Sequence, residues 1–258
     1  MKRYTDLLAL FLILLASCLF GPQAKAQLFY EGFDNSTGSN ILGIGNYGSS
    51  WHAVMGVANN PVTDITSATS GNYFMINGGA GNPNASAGFL SGGSTATGST
   101  TYYAAYTTLA SSLTIPTGTA ITWTMGNNVT GMGVRLLVQS SGNWYTTGGA
   151  WNSNTTAFST DSAFASAATA SITYTYTFAT TGWRSVTLTP GENLVLEPQP
   201  GASTLPTNQI TAIGFFMYES NGNITRLDSL TVVPEPSSFA LLGLGAGALG
   251  LLRLRRKS

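Results

Sequence analysis

Apolar and polar positions alternate strictly at several places in the middle of the chain. Ile172, Tyr174, Tyr176 and Phe178 alternate with Thr173, Thr175 and Thr177; Ile121, Trp123 and Met125 alternate with Thr122 and Thr124. Successive side chains of a strand point to opposite faces, so each pattern predicts a strand with one buried face and one threonine-lined face toward water. Val134, Leu136 and Val138 predict a third strand, and Val186 and Leu188 a fourth. Residues 210–218, with Phe215 beside Phe216, are apolar on both faces, as a central strand is. Stretches rich in Gly, Asn and Ser punctuate these runs, and no long 3.6-residue periodicity with caps lies between them. Residues 163–170 come nearest to one and are read as a loop turn. About ten short strands with turn signals between them predict an all-β fold, an antiparallel two-sheet sandwich of jelly-roll type. The absence of an internal repeat argues against a propeller or a β-helix.

The two ends follow a different logic. Residues 1–26 open on Lys2 and Arg3, continue through an apolar core over 7–20 and close on Ala24, Lys25 and Ala26. That is the layout of a secretory signal peptide cleaved before Gln27. Leu15, Ala16, Ser17 and Cys18 also read as a lipobox, but Cys18 sits inside the unbroken apolar core and the Ala-Lys-Ala site follows it. At the other end, Val233, Pro234, Glu235 and Pro236 precede an uncharged run rich in Leu, Ala and Gly over 239–252, and Arg253, Arg255, Arg256 and Lys257 close the chain. An apolar helix partitions into lipid and a basic cluster stays on the cytoplasmic side, which places everything upstream outside the cytoplasm. The run is shorter than the roughly 20 residues of a comfortable spanning helix, as suits a temporary anchor. The prolines flanking Glu235 hold the backbone extended and remove two amide donors, which keeps the motif out of helices and central strands and open to an enzyme.

This three-part tail resembles the PEP-CTERM sorting domain, a tail also catalogued as an ice-binding protein C-terminal domain; that second name describes the tail and not an activity. The resemblance implies that an exosortase in the inner membrane recognises Pro234, Glu235 and Pro236. It implies a cytoplasmic retention role for Arg253, Arg255, Arg256 and Lys257. The protein is then expected to be exported, held transiently in the inner membrane and passed to the cell surface or extracellular matrix, with exopolysaccharide as a prospective partner. The expected organisation is a signal peptide over 1–26, a β-sandwich domain over 27–232 and a sorting and anchor segment over 233–258, with a helix in each terminal segment.

Composition narrows what the body can do. Between residues 27 and 233 the acidic side chains are Glu31, Asp34, Asp64, Asp161, Glu192, Glu197, Glu219 and Asp228, against Arg135, Arg184 and Arg226, a net charge of −5 without a single lysine. Nucleic-acid binding is not expected, because phosphate neutralisation needs clustered Lys and Arg. Cys18, the only cysteine, lies in the signal segment, so the body has neither a disulfide nor a thiolate metal site.

Catalytic chemistry finds little to work with, and no catalytic residue, cofactor or metal site is assigned. His52 is the only histidine, no G-x-S-x-G elbow occurs, and zinc sites fail for want of His and Cys. Glu192 and Glu197 stand five apart, a separation that puts them on opposite faces of a strand. Glu31, Asp34 and Asp228, near the first and last strands, have the hard oxygens calcium takes, but solvated carboxylates at strand ends account for them as well. Sugar stacking is the best candidate: Trp144, Tyr145 and Trp151 surround a Gly/Asn/Thr loop, Tyr102, Tyr103 and Tyr106 form a second group, and Trp123 and Trp183 are assigned to the core.

The order of segments carries a second resemblance. Residues 29–34, Trp51, residues 72–74, Val134 to Val138 leading to Trp144 and Tyr145, residues 183–188 and residues 226–232 resemble the concanavalin A-like lectin/glucanase sandwiches, with galactose-binding-like jelly rolls as the rival. The glucanases' Glu-x-Asp-x-x-Glu pattern is missing here. The expectation is a non-enzymatic surface or matrix protein; the alternatives are a secreted carbohydrate-binding module or glycosidase, and an ice-binding surface for which Thr173, Thr175 and Thr177 supply one row only.

Overall fold

The computed structural model describes residues 28–35, 39–68, 73–78, 88–92, 101–127, 133–149, 171–177, 180–219 and 224–233. The expected signal and tail helices, Trp151 and residues 163–170 lie outside them. Gln27–Val233 forms one compact unit. Among the described residues its elements run β1 (Phe29–Glu31), β2 (Ile41–Leu42), the single helical turn α1 (Ile44–Tyr47), β3 (Trp51–Gly56), β4 (Thr63–Asp64), β5 (Met75–Asn77), β6 (Phe89–Gly92) and β7 (Thr101–Thr114). They continue with β8 (Ala120–Asn127), β9 (Gly133–Ser140), β10 (Asn143–Thr147), β11 (Ser171–Thr175), β12 (Trp183–Val186), β13 (Gln209–Glu219) and β14 (Thr225–Val233). That is more strands than the alternation predicts, because β2, β4 and β5 have only two or three residues and leave no periodic trace.

The strands form two antiparallel sheets. The first has the order β11-β8-β14-β6-β5-β2, with β1 also paired to β14; the second has the order β12-β10-β9-β13-β7-β3-β4. Their facing sides enclose the main core, to which β8 gives Ile121, Trp123 and Met125, β9 gives Val134, Leu136 and Val138, and β13 gives Ile213, Phe215 and Met217. Thr122 and Thr124 stay half-buried, as the alternation in β8 requires. Trp123 meets Phe215 edge-on at 5.9 Å and Trp183 meets Tyr176 edge-on at 5.8 Å, so both tryptophans assigned to the core are in it.

The second sheet departs from the sandwich expectation because its outer face is buried too. Val54, Ala104, Leu137, Val186 and Phe216 of that face join Val62, Leu188 and Leu194 in a second apolar cluster. This is why β9 is buried on both faces, and why Leu188, predicted inside a fourth strand, lies just beyond β12 in the segment that covers the sheet. β13 therefore serves two cores at once, through Phe215 inside and Phe216 outside.

Truncating Phe215, which is fully buried, removes a ring from the main core and costs about 3–5 kcal/mol. In thermal unfolding Phe215→Ala is expected to melt about 10 °C below the wild type, whereas Val195→Thr, at a position 55% exposed, should leave the transition where it is.

Candidate functional site

The register of the second sheet sets side chains of chemical interest on its outer face. On β7 the main core takes Tyr103 and Ala105, so Tyr102, Ala104 and Tyr106 face outward. Tyr106 pairs with His52 of β3 on one side and with Gly214 of β13 on the other, and Gly214 pairs in turn with Leu137 of β9. Gly214 and its outward neighbour Ala212 leave the sheet low at this point, and a Cβ at Gly214 would run into the backbone of Ala105 and Tyr106. Over that low ground Tyr106 meets Trp144 of β10 with ring centroids 4.3 Å apart, and His52 stacks on the far side of Tyr106 at 5.5 Å. The three half-buried rings make a continuous aromatic strip, the kind of surface on which pyranose faces stack. Burial of Tyr106, with Asp64 nearby, raises its hydroxyl above the ordinary phenolic pKa, so at neutral pH it is a hydrogen-bonding group and not an anion.

Residues 187–197 cross the same face as a flap. At its base the flap runs back along β12, with Val186 bridged to Leu196 and the Glu197 amide donating to the Ser185 carbonyl. At its tip it joins the connection between β3 and β4: the amides of Val62 and Asn59 donate to the carbonyls of Glu192 and Leu194, and that of Leu194 to Asn60. Leu188 and Leu194 under the flap fill the second core. The Glu197 carboxylate accepts from the Ser203 hydroxyl, from the amides of Ser185 and Ala202 and from the Ser185 hydroxyl, which together hold its pKa down to about 2.

Beside the flap stand two arginines. Arg135 donates through Nη1 to the carbonyls of Thr147, at 2.9 Å, and Gly148, while Arg184 donates through Nε to the carbonyl of Glu197.

The sequence-based groupings are partly rearranged. Trp144 belongs to the strip, but its neighbour Tyr145 points the opposite way and packs on the main core, since adjacent strand residues alternate faces. The three tyrosines of β7 divide by the same parity, with Tyr103 inside. Tyr106, grouped in the sequence with Tyr102 and Tyr103, joins Trp144 in the strip, and His52, outside both predicted groups, completes it; the β3–β7 register that joins His52 to Tyr106 was not readable from the sequence. Glu192 and Glu197 do not face opposite ways from one strand, because residues 187–197 form the flap and both lie in its irregular backbone. The tail residues Pro234, Glu235, Pro236, Arg253, Arg255, Arg256 and Lys257 lie outside the described residues.

Glu31, Asp34 and Asp228 do come within electrostatic reach of one another where β1 pairs with β14. Glu31, however, is engaged by the Phe33 amide at 2.9 Å, the Tyr47 hydroxyl at 2.7 Å and the Trp51 indole at 3.0 Å. No group of three His, Cys, Asp or Glu side chains able to hold a metal occurs among the described residues. Among them, too, no helix is long and apolar enough to cross a membrane.

Residues 232–257 match the PEP-CTERM protein-sorting motif. The motif marks an exported protein directed to the cell surface. No curated protein matches the sequence. Among solved structures the chain is similar to the family 11 carbohydrate-binding module of the cellulosomal cellulase Lic26A-Cel5E of Clostridium thermocellum, with a TM-score of 0.37 and 11% identity over 80% of this chain and 95% of that one.

Asp228 supplies a pH test of this geometry. Burial, opposed by its bonds to Ser229 and reinforced by Asp34 and Glu31, lifts its carboxyl from 3.8 to about 6. A carboxyl raised in the folded state gives stability that is present below its unfolded value and lost as pH rises toward 6. The variant Asp228→Asn, which keeps an acceptor for the Ser229 amide, should therefore gain in melting temperature relative to the wild type between pH 4 and pH 7; a constant difference across that range would contradict the placement.

Proposed function

We propose that this chain is an exported, non-enzymatic surface or matrix protein: a jelly-roll sandwich over 27–232 that an exosortase sorts through Pro234, Glu235 and Pro236. Residues 1–26 direct export and are removed. The apolar run over 239–252 then lodges transiently in the inner membrane, with Arg253, Arg255, Arg256 and Lys257 held on the cytoplasmic side, until the body passes to the surface or the exopolysaccharide matrix. The observation that carries this reading is the match of residues 232–257 to the sorting motif. Its chemistry agrees, since the two prolines keep Glu235 in extended backbone that a processing enzyme can engage.

A second reading, carbohydrate binding by the body, is favoured by the strip of His52, Tyr106 and Trp144. The strip offers ring faces for stacking, and the Glu197 carboxylate on the flap is already committed to four donors.

Replacing Pro234, Glu235 and Pro236 together with alanine, in a host that carries an exosortase, should leave a longer product in the membrane fraction where the wild type is shortened and released. Processing and release identical to the wild type would overturn the proposal.

A further inference from the structure

We propose that Arg135 and Arg184 together form a binding site for the carboxylate or sulfate group of an acidic saccharide on the outer face of the second sheet. The site adds to the aromatic strip without depending on it, since the strip would bind by stacking whatever the ligand's charge.

Placement brings the two guanidiniums together. Arg135 leaves β9 opposite Phe216, and its Nη1 reaches the Thr147 and Gly148 carbonyls where β10 ends. Arg184 leaves β12 opposite Thr146, one residue away along the same strand β10. Backbone is laid closely against them: a Cβ at Gly201 would collide with the Arg184 side chain and the Trp183 carbonyl, and one at Gly148 with the carbonyls of Pro200 and Gly182. The side chains are accordingly fixed, at 6% and 8% exposure.

Their hydrogen bonding is unfinished. A guanidinium carries five N–H donors, and the bonds described use Nη1 of Arg135 and Nε of Arg184, all to neutral carbonyls. Among the described residues no further partner engages the nitrogens left over, and neither arginine contributes one to the buried polar atoms that lack a partner. Among the described residues the carboxylate that acts on Arg184, that of Glu197, is turned onto Ser185, Ala202 and Ser203. Two fixed cations side by side, with no counter-charge bonded to either among the described residues, are costly in a protein interior. The cost shows in Arg135, whose pKa is lowered to about 10, first by burial and then by Arg184. An oxyanion at the open nitrogens would relieve the repulsion and take the paired, charge-assisted bonds that arginine makes with planar acids.

The setting favours a saccharide over a free ion. Tyr102, half-buried and stacked on Phe216 at 5.4 Å, lies within electrostatic reach of both arginines, and its cross-strand partner Tyr218 within reach of Arg135. Rings and hydroxyls beside a charge suit a ligand that carries both an acid group and sugar faces. In a body with a net charge of −5, which repels polyanions at long range, two of its three arginines stand at this one spot.

The test is calorimetric titration of the purified full-length protein in mild detergent with oligogalacturonate, with neutral cellohexaose and with inorganic sulfate. Oligogalacturonate is expected to bind, with an affinity that falls about tenfold or more between low and physiological salt. Arg184→Gln should weaken binding about tenfold or more while the protein stays folded, and Arg184→Lys should weaken it less, because it keeps the charge and loses the planar fork. Trp144→Ala, which dismantles the strip, should abolish any binding of cellohexaose and leave the salt dependence of oligogalacturonate binding in place. Equal affinity for the acidic and neutral oligomers, wild-type affinity in folded Arg184→Gln, or binding of sulfate but not of oligogalacturonate would overturn the proposal. Should Arg184→Gln fail to fold, salt-independent binding by the wild type overturns it on its own.

Discussion

β13 is apolar on both faces, and the rest of the body is arranged to keep both faces dry. Its inner side chains Ile213, Phe215 and Met217 require the first sheet above them, and Phe216 on its outer face requires a cover as well. A sandwich of two sheets buries one face of each, so the second sheet needs a third layer. The flap over 187–197 provides it with Leu188 and Leu194, and hydrogen bonds at both ends tie it to β12 and to the connection between β3 and β4. A strand flanked on both sides by antiparallel partners and covered on both faces is the least free to rearrange, so β7 and β9 take their register from it.

The candidate chemistry follows from that arrangement. A flap that crosses the outer face leaves rings and charges at its margins, where they are packed yet still meet solvent. The strip exists because Ala212 and Gly214 are small where they face outward, so Tyr106 and Trp144 can meet across β13 and β9. The arginine pair exists because the chain leaving the flap places the Glu197 carbonyl on Arg184 and turns the Glu197 carboxylate away. The sorting motif, by contrast, is a linear signal over residues 232–257 that begins where β14 ends.

The sequence carried the two-sheet β architecture and the tail clearly, and carried the site only in fragments. Alternation around Ile121, Trp123 and Met125 marked β8, and the doubly apolar run around Phe215 and Phe216 marked a central strand, because those patterns are local. The tail was legible because motif, apolar run and basic cluster follow one another in order. The flap was not, since its few apolar residues lie among Pro, Gly, Glu and Asn and the burial of Leu188 and Leu194 depends on distant partners, Val54 and Val62 more than a hundred residues away and Ala104 more than eighty. For the same reason Trp144 and Tyr106 were singled out in separate aromatic groups, His52 was left out of both, and Arg135 and Arg184 entered only as two of the body's three basic residues. Strand pairing between β3 and β7, or β10 and β12, is decided by contacts that no short window of sequence contains.

Amide hydrogen exchange on the full-length protein tests most directly whether the flap is an integral layer. The account predicts that the amides of Val62, Gly191 and Leu194 exchange as slowly as the inner amides of β7 and β9, because opening the flap exposes the second core and frees β13. Exchange of those three amides at the rate of an open loop, with β13 still fully protected, would contradict it.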